Sequence, residues 1–449
     1  MGDELMRDRT GVLQDGATYL IRVPQEWNGT LLLHCPGFST DPSAVPPLAP
    51  HPALTDGLLE ERYALASVSY ASPGFWAVEH AFSDLRGTLD VFAREVRRPD
   101  RTIAWGNSIG GIITAGLVQL ASEYLSGAMP MCGSVAGGVG TRNQNLDCSF
   151  VLKCLLAADS PLECVRITSP DSNVKLAQSI LETAQGTPQG RARIALAATL
   201  GGIPGWFDPS SDAPAADDHT ARQLGQFRWL QEVALPVFVG QRALLERRAG
   251  GNPSWNAGVD YRRQLDRAGS AGVAAEYACA GLDIDADLSR LDSAQRIEAD
   301  PHAVSYLERY VVFNGDLAAT PVLAMHTLAD GLVVVESEQA YYDVVSWANQ
   351  SDHLRQVYVA RAAHCSFTAG EILAGLHALI QRIDLGRWPA LDAGAMNDDA
   401  LRLAREDNTL RTGQPPGPCF APFEPSAFLR PYDVRDVGTP TTASRAVRP

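Results

Sequence analysis

The chain has 449 residues, of which 45% are hydrophobic, and its formal net charge is −15. This length supports a large core and predicts one large α/β domain with an insertion, or two domains. The acidic balance argues against nucleic acid or an anionic membrane surface as a partner, and no apolar run reaches the roughly 18 residues that a transmembrane helix needs.

The N-terminal residues 1–8 contain no apolar run, so no signal peptide is predicted, and without a long apolar run elsewhere no membrane insertion is predicted either. The sequence as it stands therefore indicates a cytoplasmic protein, or a secreted one if its native N-terminus is missing. The oligomeric state is left open.

The first 136 residues alternate between strand-like and helix-like runs. The strand candidates are 17–23, 29–35, 63–71, 102–105 and 127–133, with a helix over 78–96. Short apolar strands separated by helices predict a mostly parallel sheet that is covered by helices on both faces. The turn Trp27-Asn28-Gly29 could also join the first two strands as an antiparallel hairpin.

The segment Gly106-Asn107-Ser108-Ile109-Gly110 carries the strongest functional signal. It matches G-x-S-x-G between a short strand and a run with helical spacing, which is the setting of a nucleophile elbow. The two glycines allow the strand and the helix to approach closely. A glycine-rich turn around a buried serine is the alternative, but the flanking strand and helix favour Ser108 as a nucleophile.

The pattern becomes mostly helical over residues 137–315, with candidates at 146–158, 174–185, 192–200, 221–235, 261–268 and 303–312. Alternation resumes with strands at 321–327 and 354–360 and helices at 338–348 and 369–383. We therefore expect a core of 1–136 and 316–390, a helical cap at 137–315, and an irregular tail at 391–449 that packs on the core. Trp206 and Phe207 could line a pocket of the cap or belong to its own core.

A serine nucleophile needs a base, and the base needs an acid that orients it. Asp330 lies just past the strand at 321–327 and is predicted to be that acid. The alternative is that Asp330-Gly331 is an ordinary turn without a catalytic role. Glu336 and Glu338 are the alternative carboxylates. They belong to the following helix and fit less well.

His364 is predicted to be the base because it follows the last predicted strand. The next helix opens with a capping box, Thr368-x-x-Glu371, which places His364 on the connecting loop. Residues just past several parallel strands converge at one sheet edge, so Ser108 and His364 should meet there. The other eight histidines fit less well, and His326 and His34 are interpreted as structural.

An oxyanion hole needs two backbone N–H donors. Ile109, directly after the nucleophile, should supply one of them. The loop Cys35-Pro36-Gly37-Phe38 should supply the other, with Phe38 preferred and Gly37 second, because Pro36 has no N–H. An ordinary Pro-Gly turn is the alternative for this loop.

The eight cysteines include no C-x-x-C pair, so no metal is predicted. Cys148, Cys154 and Cys164 lie close together in the sequence, and a disulfide among them is left open. The acidic run 283–287 lacks the glycine and glutamate of a calcium-binding loop, so it is interpreted as a solvated turn.

These motifs give the chain a family resemblance. The elbow, followed by an aspartate and a histidine in that order, resembles the α/β-hydrolase fold. Several further segments resemble a group of esterase-like actinobacterial α/β-hydrolases; they are 19–23, 27–31, 74–79, 130–133, 327–331 and 364–368. The resemblance covers both sheet segments and implies an α/β-hydrolase fold. The large helical cap, expected from the interrupted alternation, would be inserted after the sixth strand.

The resemblance also implies hydrolysis of an ester or related acyl bond, with no metal or organic cofactor. Pro36 departs from the family, because many relatives carry there the histidine of a His-Gly oxyanion motif. We therefore expect a serine carboxylesterase whose partner is a small-molecule ester or other acyl substrate. An acyltransferase, a lactone-forming or lactone-cleaving enzyme and a peptidase are the alternatives that use the same residues. A non-catalytic binding protein is disfavoured, since no member of the triad is missing.

Overall fold

The computed structural model describes residues 8–39, 45–71, 78–406, 417–432 and 434–436. Within them, one sheet has the strand order β1-β2-β4-β3-β5-β6-β7-β8-β9. The strands are β1 (Arg9–Val12), β2 (Thr18–Arg22), β3 (Thr30–His34), β4 (Ala64–Ser69), β5 (Arg101–Asn107), β6 (Gly127–Met131), β7 (Val322–Ala329), β8 (Leu354–Ala362) and β9 (Phe420–Ala421). Neighbours from β4 through β3, β5, β6 and β7 to β8 run parallel, which confirms the expected α/β sheet.

The helices lie before, between and after these strands. They are α1 (Leu54–Glu60), α2 (Val78–Glu95), α3 (Ile109–Ala121), α4 (Gly138–Leu156), α5 (Pro170–Gln185), α6 (Pro188–Leu200), α7 (His219–Trp229), α8 (Arg242–Ala249), α9 (Tyr261–Ala268), α10 (Ala271–Ala280), α11 (Ile284–Ser293), α12 (Pro301–Val311), α13 (Ser337–Trp347), α14 (Ala369–Leu385) and α15 (Ala393–Glu406). None of these helices is long and apolar enough to cross a membrane.

The central strands bury both of their faces. Leu31 and Leu33 of β3 point into a core formed with α2, α3 and the helices of the 138–311 segment. Leu32, between them, points into a second core formed with α1, α14 and α15. Successive side chains of a strand face opposite sides, so a continuous apolar run requires a helical layer on each face.

The expected hairpin of the first two predicted strands is wrong. β4 lies between β2 and β3, pairing antiparallel with the first and parallel with the second. β3 is fully buried and needs a hydrogen-bonded neighbour on each edge, which β4 and β5 supply. β1, which pairs antiparallel with β2, was missed by the sequence analysis.

Helices α4–α12 form an insertion between β6 and β7, and we call residues 138–311 the helical insertion. An ion pair of Arg248 with Glu79 joins it to α2. Trp229, at the end of α7, contacts residues 330–336 after β7, which we call the acid loop because it begins with Asp330; a Cβ added to Gly331 would lie 2.4 Å from the Trp229 ring. The insertion therefore reaches the carboxyl edge of the sheet.

The expectation of an irregular C-terminal tail is wrong for residues 393–406, which form α15. The buried residues Met396, Ala400 and Leu403 pack in the second core, so an amphipathic helix covers this part of the sheet. Further along, Phe420 in β9 pairs with Val359 of β8 and extends the sheet by one strand.

All eight cysteines lie in the described part of the chain, and none is in a disulfide. The disulfide considered for Cys148, Cys154 and Cys164 is therefore not formed in the structure. Cys148 and Cys164 are buried as thiols, and burial raises their pKa values, in the case of Cys164 to about 12.

Candidate active site

The turn between β5 and α3 places Ser108 at the carboxyl edge of the sheet. Ser108 has φ 59° and ψ −124°, a conformation that a non-glycine residue adopts only under constraint. Ser108 N–H donates to the carbonyl of Met131 at 3.0 Å, and the Ser108 carbonyl accepts from Gly111 at 2.9 Å. These bonds hold the strained turn between the adjacent strand and the first turn of α3.

The two glycines of the elbow are required by its packing. A Cβ added to Gly106 would lie 2.3 Å from the carbonyl oxygen of Cys35, and one added to Gly110 would lie 2.0 Å from the same atom. Both distances are far below van der Waals contact, and the obstacle is backbone rather than a side chain that could move. The end of β3 can therefore pass the elbow only if both residues are glycine.

The structure brings Ser108, His364 and Asp330 together in one hydrogen-bonded chain. Ser108 Oγ lies 2.8 Å from His364 Nε2. His364 Nδ1 lies 2.6 Å from Asp330 Oδ2. Since a carboxylate can only accept, Nδ1 carries the hydrogen and Nε2 is free to accept from the serine hydroxyl.

Asp330 is held rigidly for this contact. It directly follows β7, and its side chain is fully buried. Its Oδ1 accepts backbone N–H bonds from Leu332 at 2.9 Å and Val333 at 3.0 Å, which leaves Oδ2 for His364. Burial alone would raise the pKa of Asp330, but the imidazole of His364, that of His326 and the backbone donor lower it below its usual value.

His364 lies between β8 and α14, on the loop that the capping box of Thr368 and Glu371 terminates as predicted. Its side chain is 18% exposed, so part of the imidazole ring remains accessible to solvent. Burial lowers the pKa of His364, but the ionised Asp330 outweighs it, and the net pKa is raised above the ordinary 6.5.

Strained backbone concentrates around this group. Besides Ser108, positive φ values occur at Cys132 (42°), Ala363 (76°) and Cys365 (55°). Cys132 directly follows β6, and the other two flank His364. Such conformations cost free energy and persist where surrounding structure imposes them, and they are commonest at functional sites.

The predicted oxyanion residues lie on both sides of Ser108. Ile109 is the first residue of α3, so its N–H has no acceptor within the helix. A Cβ on Gly37 would lie 3.9 Å from Ser108 Cβ, which places the loop after β3 against the elbow. Phe38 follows on the same loop and is 42% exposed. Tyr70 anchors this loop, because its hydroxyl donates to the Pro36 carbonyl at 3.1 Å.

Two thiols lie near His364. Cys365 Sγ lies 3.4 Å from His364 Nε2, on the same nitrogen that faces Ser108. The Cys365 thiol also donates a hydrogen bond to the buried sulfur of Cys132. Burial and this bond raise the pKa of Cys365, and the bond lowers that of Cys132. Burial opposes ionisation of Cys132, but this bond and the nearby imidazoles lower its pKa to about 7. The sequence analysis gave neither cysteine a place in the site.

His326 was interpreted as structural, and the structure places it next to Asp330. Its Nε2 lies 3.8 Å from Asp330 Oδ2, and its Nδ1 lies 2.9 Å from Glu338 Oε1. Glu338, named above as an alternative acid, therefore pairs with His326. Glu336, the other alternative, has a raised pKa because it is desolvated.

Cys132, His326 and Asp330 offer potential metal-ligand atoms within 4.8 Å of one another. Both nitrogens of His326 and both oxygens of Asp330 already take part in hydrogen bonds. The geometry therefore favours a hydrogen-bonded cluster over a metal site.

A cavity of about 690 Å³ lies between the helical insertion, the end of β7 and the segment 423–429. Its walls include Trp206, Gln144, Ala329 and Glu336, so it approaches the residue before Asp330, but Ser108, Asp330 and His364 are not among its wall residues. Trp206 is thus a cavity residue. Phe207, by contrast, packs edge-on against Trp229 at 5.2 Å between centroids and belongs to the core of the insertion. The sequence also suggests that loops near Phe38 and Trp76 contribute to specificity, but residues 72–77, which include Trp76, lie outside the described residues.

The parallel strands β4–β3–β5–β6–β7–β8, the helices on both faces and the strand–serine–helix turn define the α/β-hydrolase fold. Asp330 directly follows β7 and His364 follows β8, so both lie at the carboxyl edge of the sheet together with Ser108.

No protein-family model matches the chain. Among curated proteins it is similar to the o-phthalyl amidase of Xanthobacter agilis, with 28% identity over 431 residues that cover 90% of this chain and 92% of the amidase. Among solved structures it is similar to feruloyl esterase B from Aspergillus oryzae, with 12% identity and a TM-score of 0.40 over 85% of this chain and 81% of that one. A further esterase from Aspergillus oryzae gives 16% identity and a TM-score of 0.40 over 86% and 80% of the two chains.

Proposed function

We propose that this protein is a serine hydrolase that cleaves a carboxylic ester through an acyl-enzyme intermediate. The observation that carries the proposal is the continuous chain from Ser108 Oγ through His364 to Asp330, with distances of 2.8 and 2.6 Å. A nucleophile, a base and an orienting acid in this order are what acyl transfer requires.

In the proposed acylation step, Ser108 Oγ attacks the acyl carbon while His364 Nε2 takes its proton. Asp330 holds the imidazole with Nδ1 protonated and stabilises the imidazolium that forms. The negative charge on the acyl oxygen would be met by the N–H groups of Ile109 and Phe38, with Gly37 as the alternative to Phe38. The raised pKa of His364 makes the imidazole a stronger base than an ordinary histidine.

His364 would then give its proton to the leaving alcohol. The same imidazole would then take a proton from a water molecule, which attacks the acyl-enzyme. This step releases the carboxylic acid product and regenerates Ser108. An alcohol in place of water would give acyl transfer or lactone formation with the same residues, so the acceptor decides between these outcomes.

An amide is the second candidate substrate, and a specific observation favours it. The amidase relative is similar over 92% of its own length, so the similarity extends across the helical insertion as well as the sheet. An amine leaves only after it is protonated, and His364 Nε2 is positioned to supply that proton. The same residues therefore support cleavage of either bond.

We further propose that the helical insertion acts as a cap that shapes the acyl pocket. The contact of Trp229 with Gly331, next to Asp330, supports this proposal. The cavity walled by Trp206 and Ala329 offers space beside the acid loop for part of a substrate.

The test starts with a fluorophosphonate probe, which labels an activated serine. The wild type should be labelled and Ser108→Ala should not. Ser149→Ala is the matched control, because the Ser149 hydroxyl is buried and donates to the Asn145 carbonyl, away from the triad. Labelling of Ser108→Ala at the wild-type rate would overturn the proposal.

A matched ester and amide of one acyl group, together with an o-phthalyl amide, then separate the two candidates. Ester turnover alone supports the esterase, and turnover of the amide at a comparable kcat/KM supports the amidase. Both activities should be lost in Ser108→Ala, by about 10⁴-fold or more.

A further inference from the structure

His326 has an acceptor at each ring nitrogen. Nε2 lies 2.9 Å from the Val333 carbonyl oxygen, and Nδ1 lies 2.9 Å from Glu338 Oε1. The ring is fully buried at the end of β7, and Glu338 is buried at the start of α13. Gln356 of β8 donates to Glu338 Oε2 at 2.8 Å, so the second carboxylate oxygen is already in use.

These contacts constrain the protonation state of His326. A carbonyl can only accept, so Nε2 carries a hydrogen. The carboxylate of Glu338 accepts from Gln356 on one oxygen and faces Nδ1 with the other. When Glu338 is ionised, Nδ1 also carries a hydrogen and His326 is an imidazolium. Burial opposes this charge, but Cys132, Glu338 and Asp330 raise the pKa of His326 to about 10.

The same imidazole faces the acid of the triad. His326 Nε2 lies 3.8 Å from Asp330 Oδ2, and that oxygen is the one that accepts from His364. The carbonyl of Val333 accepts from His326 while the N–H of Val333 donates to Asp330 Oδ1. One residue of the acid loop thus ties both side chains together.

We propose that His326, paired with Glu338, is a positioning residue that holds Asp330 in place and lowers the pH at which His364 becomes a free base. The inference rests on the proposed function, since it concerns the same triad. A fixed positive charge behind Asp330 stabilises the carboxylate. It also opposes protonation of His364, on the far side of that carboxylate, because like charges repel.

The surrounding charges support this assignment. His326, in β7, faces Asp330 of the acid loop and Cys132 at the end of β6. It also faces Glu338 and the more distant Glu336 at the start of α13. His364 faces the same Asp330 and Cys132, with Cys365 beside it. His326 is the group among these that lowers the pKa of His364 through its charge.

The test compares His326→Gln and Glu338→Gln with the wild type. Glutamine in place of His326 removes the charge, and glutamine in place of Glu338 keeps an acceptor but removes the carboxylate that holds the imidazolium. Each variant should move the acid limb of kcat/KM to higher pH by about 1 unit, the size expected for one charge roughly 6 Å away at intermediate dielectric. The double variant should shift no further than either single one, because both act through one charge.

Asp147→Asn is the matched control. Asp147 is also a buried carboxylate, but it pairs with Arg430 and Tyr261 and not with the triad. Its substitution should leave the midpoint of the acid limb unchanged, whatever it does to stability. A shift of equal size in Asp147→Asn, or no shift in folded His326→Gln, would overturn the inference.

Nitrogen-15 histidine spectra of the wild type provide a second readout that does not depend on the variants folding. The His326 ring should give imidazolium shifts at pH 8, where an ordinary histidine is neutral. A neutral His326 ring at pH 8 would also overturn the inference. If Ser108→Ala retains activity, the proposed function fails; if it is inactive and the acid limb of His326→Gln does not move, only this inference fails.

Discussion

Gly110 lies so close to Cys35 that no other residue fits its place, since a Cβ on Gly110 would lie 2.0 Å from the Cys35 carbonyl oxygen. Gly110→Ala must push β3 away from the elbow and move the loop that carries Phe38. We expect a loss of about 3 kcal/mol of unfolding free energy, measured by urea denaturation, and slower fluorophosphonate labelling. Gly417→Ala is the control, because no described atom lies within 4 Å of the added Cβ. Equal stability of Gly110→Ala and the wild type would contradict the packing.

Asp330→Asn should keep the shape of the acid loop but favour the wrong tautomer of His364. An amide nitrogen facing Nδ1 would donate to it, which leaves Nε2 protonated and unable to accept from Ser108. We expect kcat to fall by about 10⁴-fold on a simple ester. Glu336→Gln should retain most of the activity, because Glu336 takes no part in the chain of hydrogen bonds. A larger loss of activity in Glu336→Gln than in Asp330→Asn would show that Glu336, and not Asp330, is the acid that orients His364.

The pH profile of kcat/KM should follow His364. Only the neutral imidazole accepts the serine proton, so activity rises as the pH passes through the pKa of His364. Asp330 raises that pKa above 6.5, so the midpoint of the acid limb should lie above 6.5. In Asp330→Asn the residual activity should have its midpoint at lower pH, because the stabilising carboxylate is gone. If the residual activity of Asp330→Asn has an unchanged midpoint, the acid limb does not report the ionisation of His364.

Trp206 and Phe207 are adjacent but should behave differently. Trp206→Ala enlarges the cavity and should change the preference between bulky and short acyl groups more than kcat on a short one. Phe207→Ala removes the edge-on contact with Trp229 and should cost about 2 kcal/mol of unfolding free energy with the preference retained. Panels of esters with graded acyl size, with denaturation curves for both variants, measure the two effects. Equal changes of preference in both variants would count against the cavity as part of the acyl pocket.

The sheet and the three residues that it brings together were accessible from the sequence for a simple reason. Ser108, Asp330 and His364 each lie within four residues of the end of a predicted strand, and parallel strands end at one edge. Local pattern is enough to locate them, although they are far apart in the chain. Whether they act as a triad is the proposal that the fluorophosphonate experiment tests.

The order of the strands and the pairing of side chains around the site depend on tertiary contacts that the local sequence pattern does not encode. The pairing of β2 with β4, and not with the strand next in sequence, is decided by which edges remain open once the central strands are buried. The pairing of His326 with Glu338 requires the orientation of α13 against β7, which is a tertiary property. The sequence showed a histidine in a strand and a glutamate at a helix start, and nothing in their spacing joined them.

The ion pair of Arg430 with Asp147 has a consequence for how the protein is made. Arg430 lies 283 residues after Asp147, and its guanidinium bonds the buried carboxylate at 2.6 Å and the Trp255 carbonyl at 2.8 Å. A buried carboxylate without a cation is strongly disfavoured. During synthesis, α4 emerges from the ribosome long before the guanidinium that pairs with its buried carboxylate, so we expect the helical insertion to reach its final packing only after residue 430 has been translated.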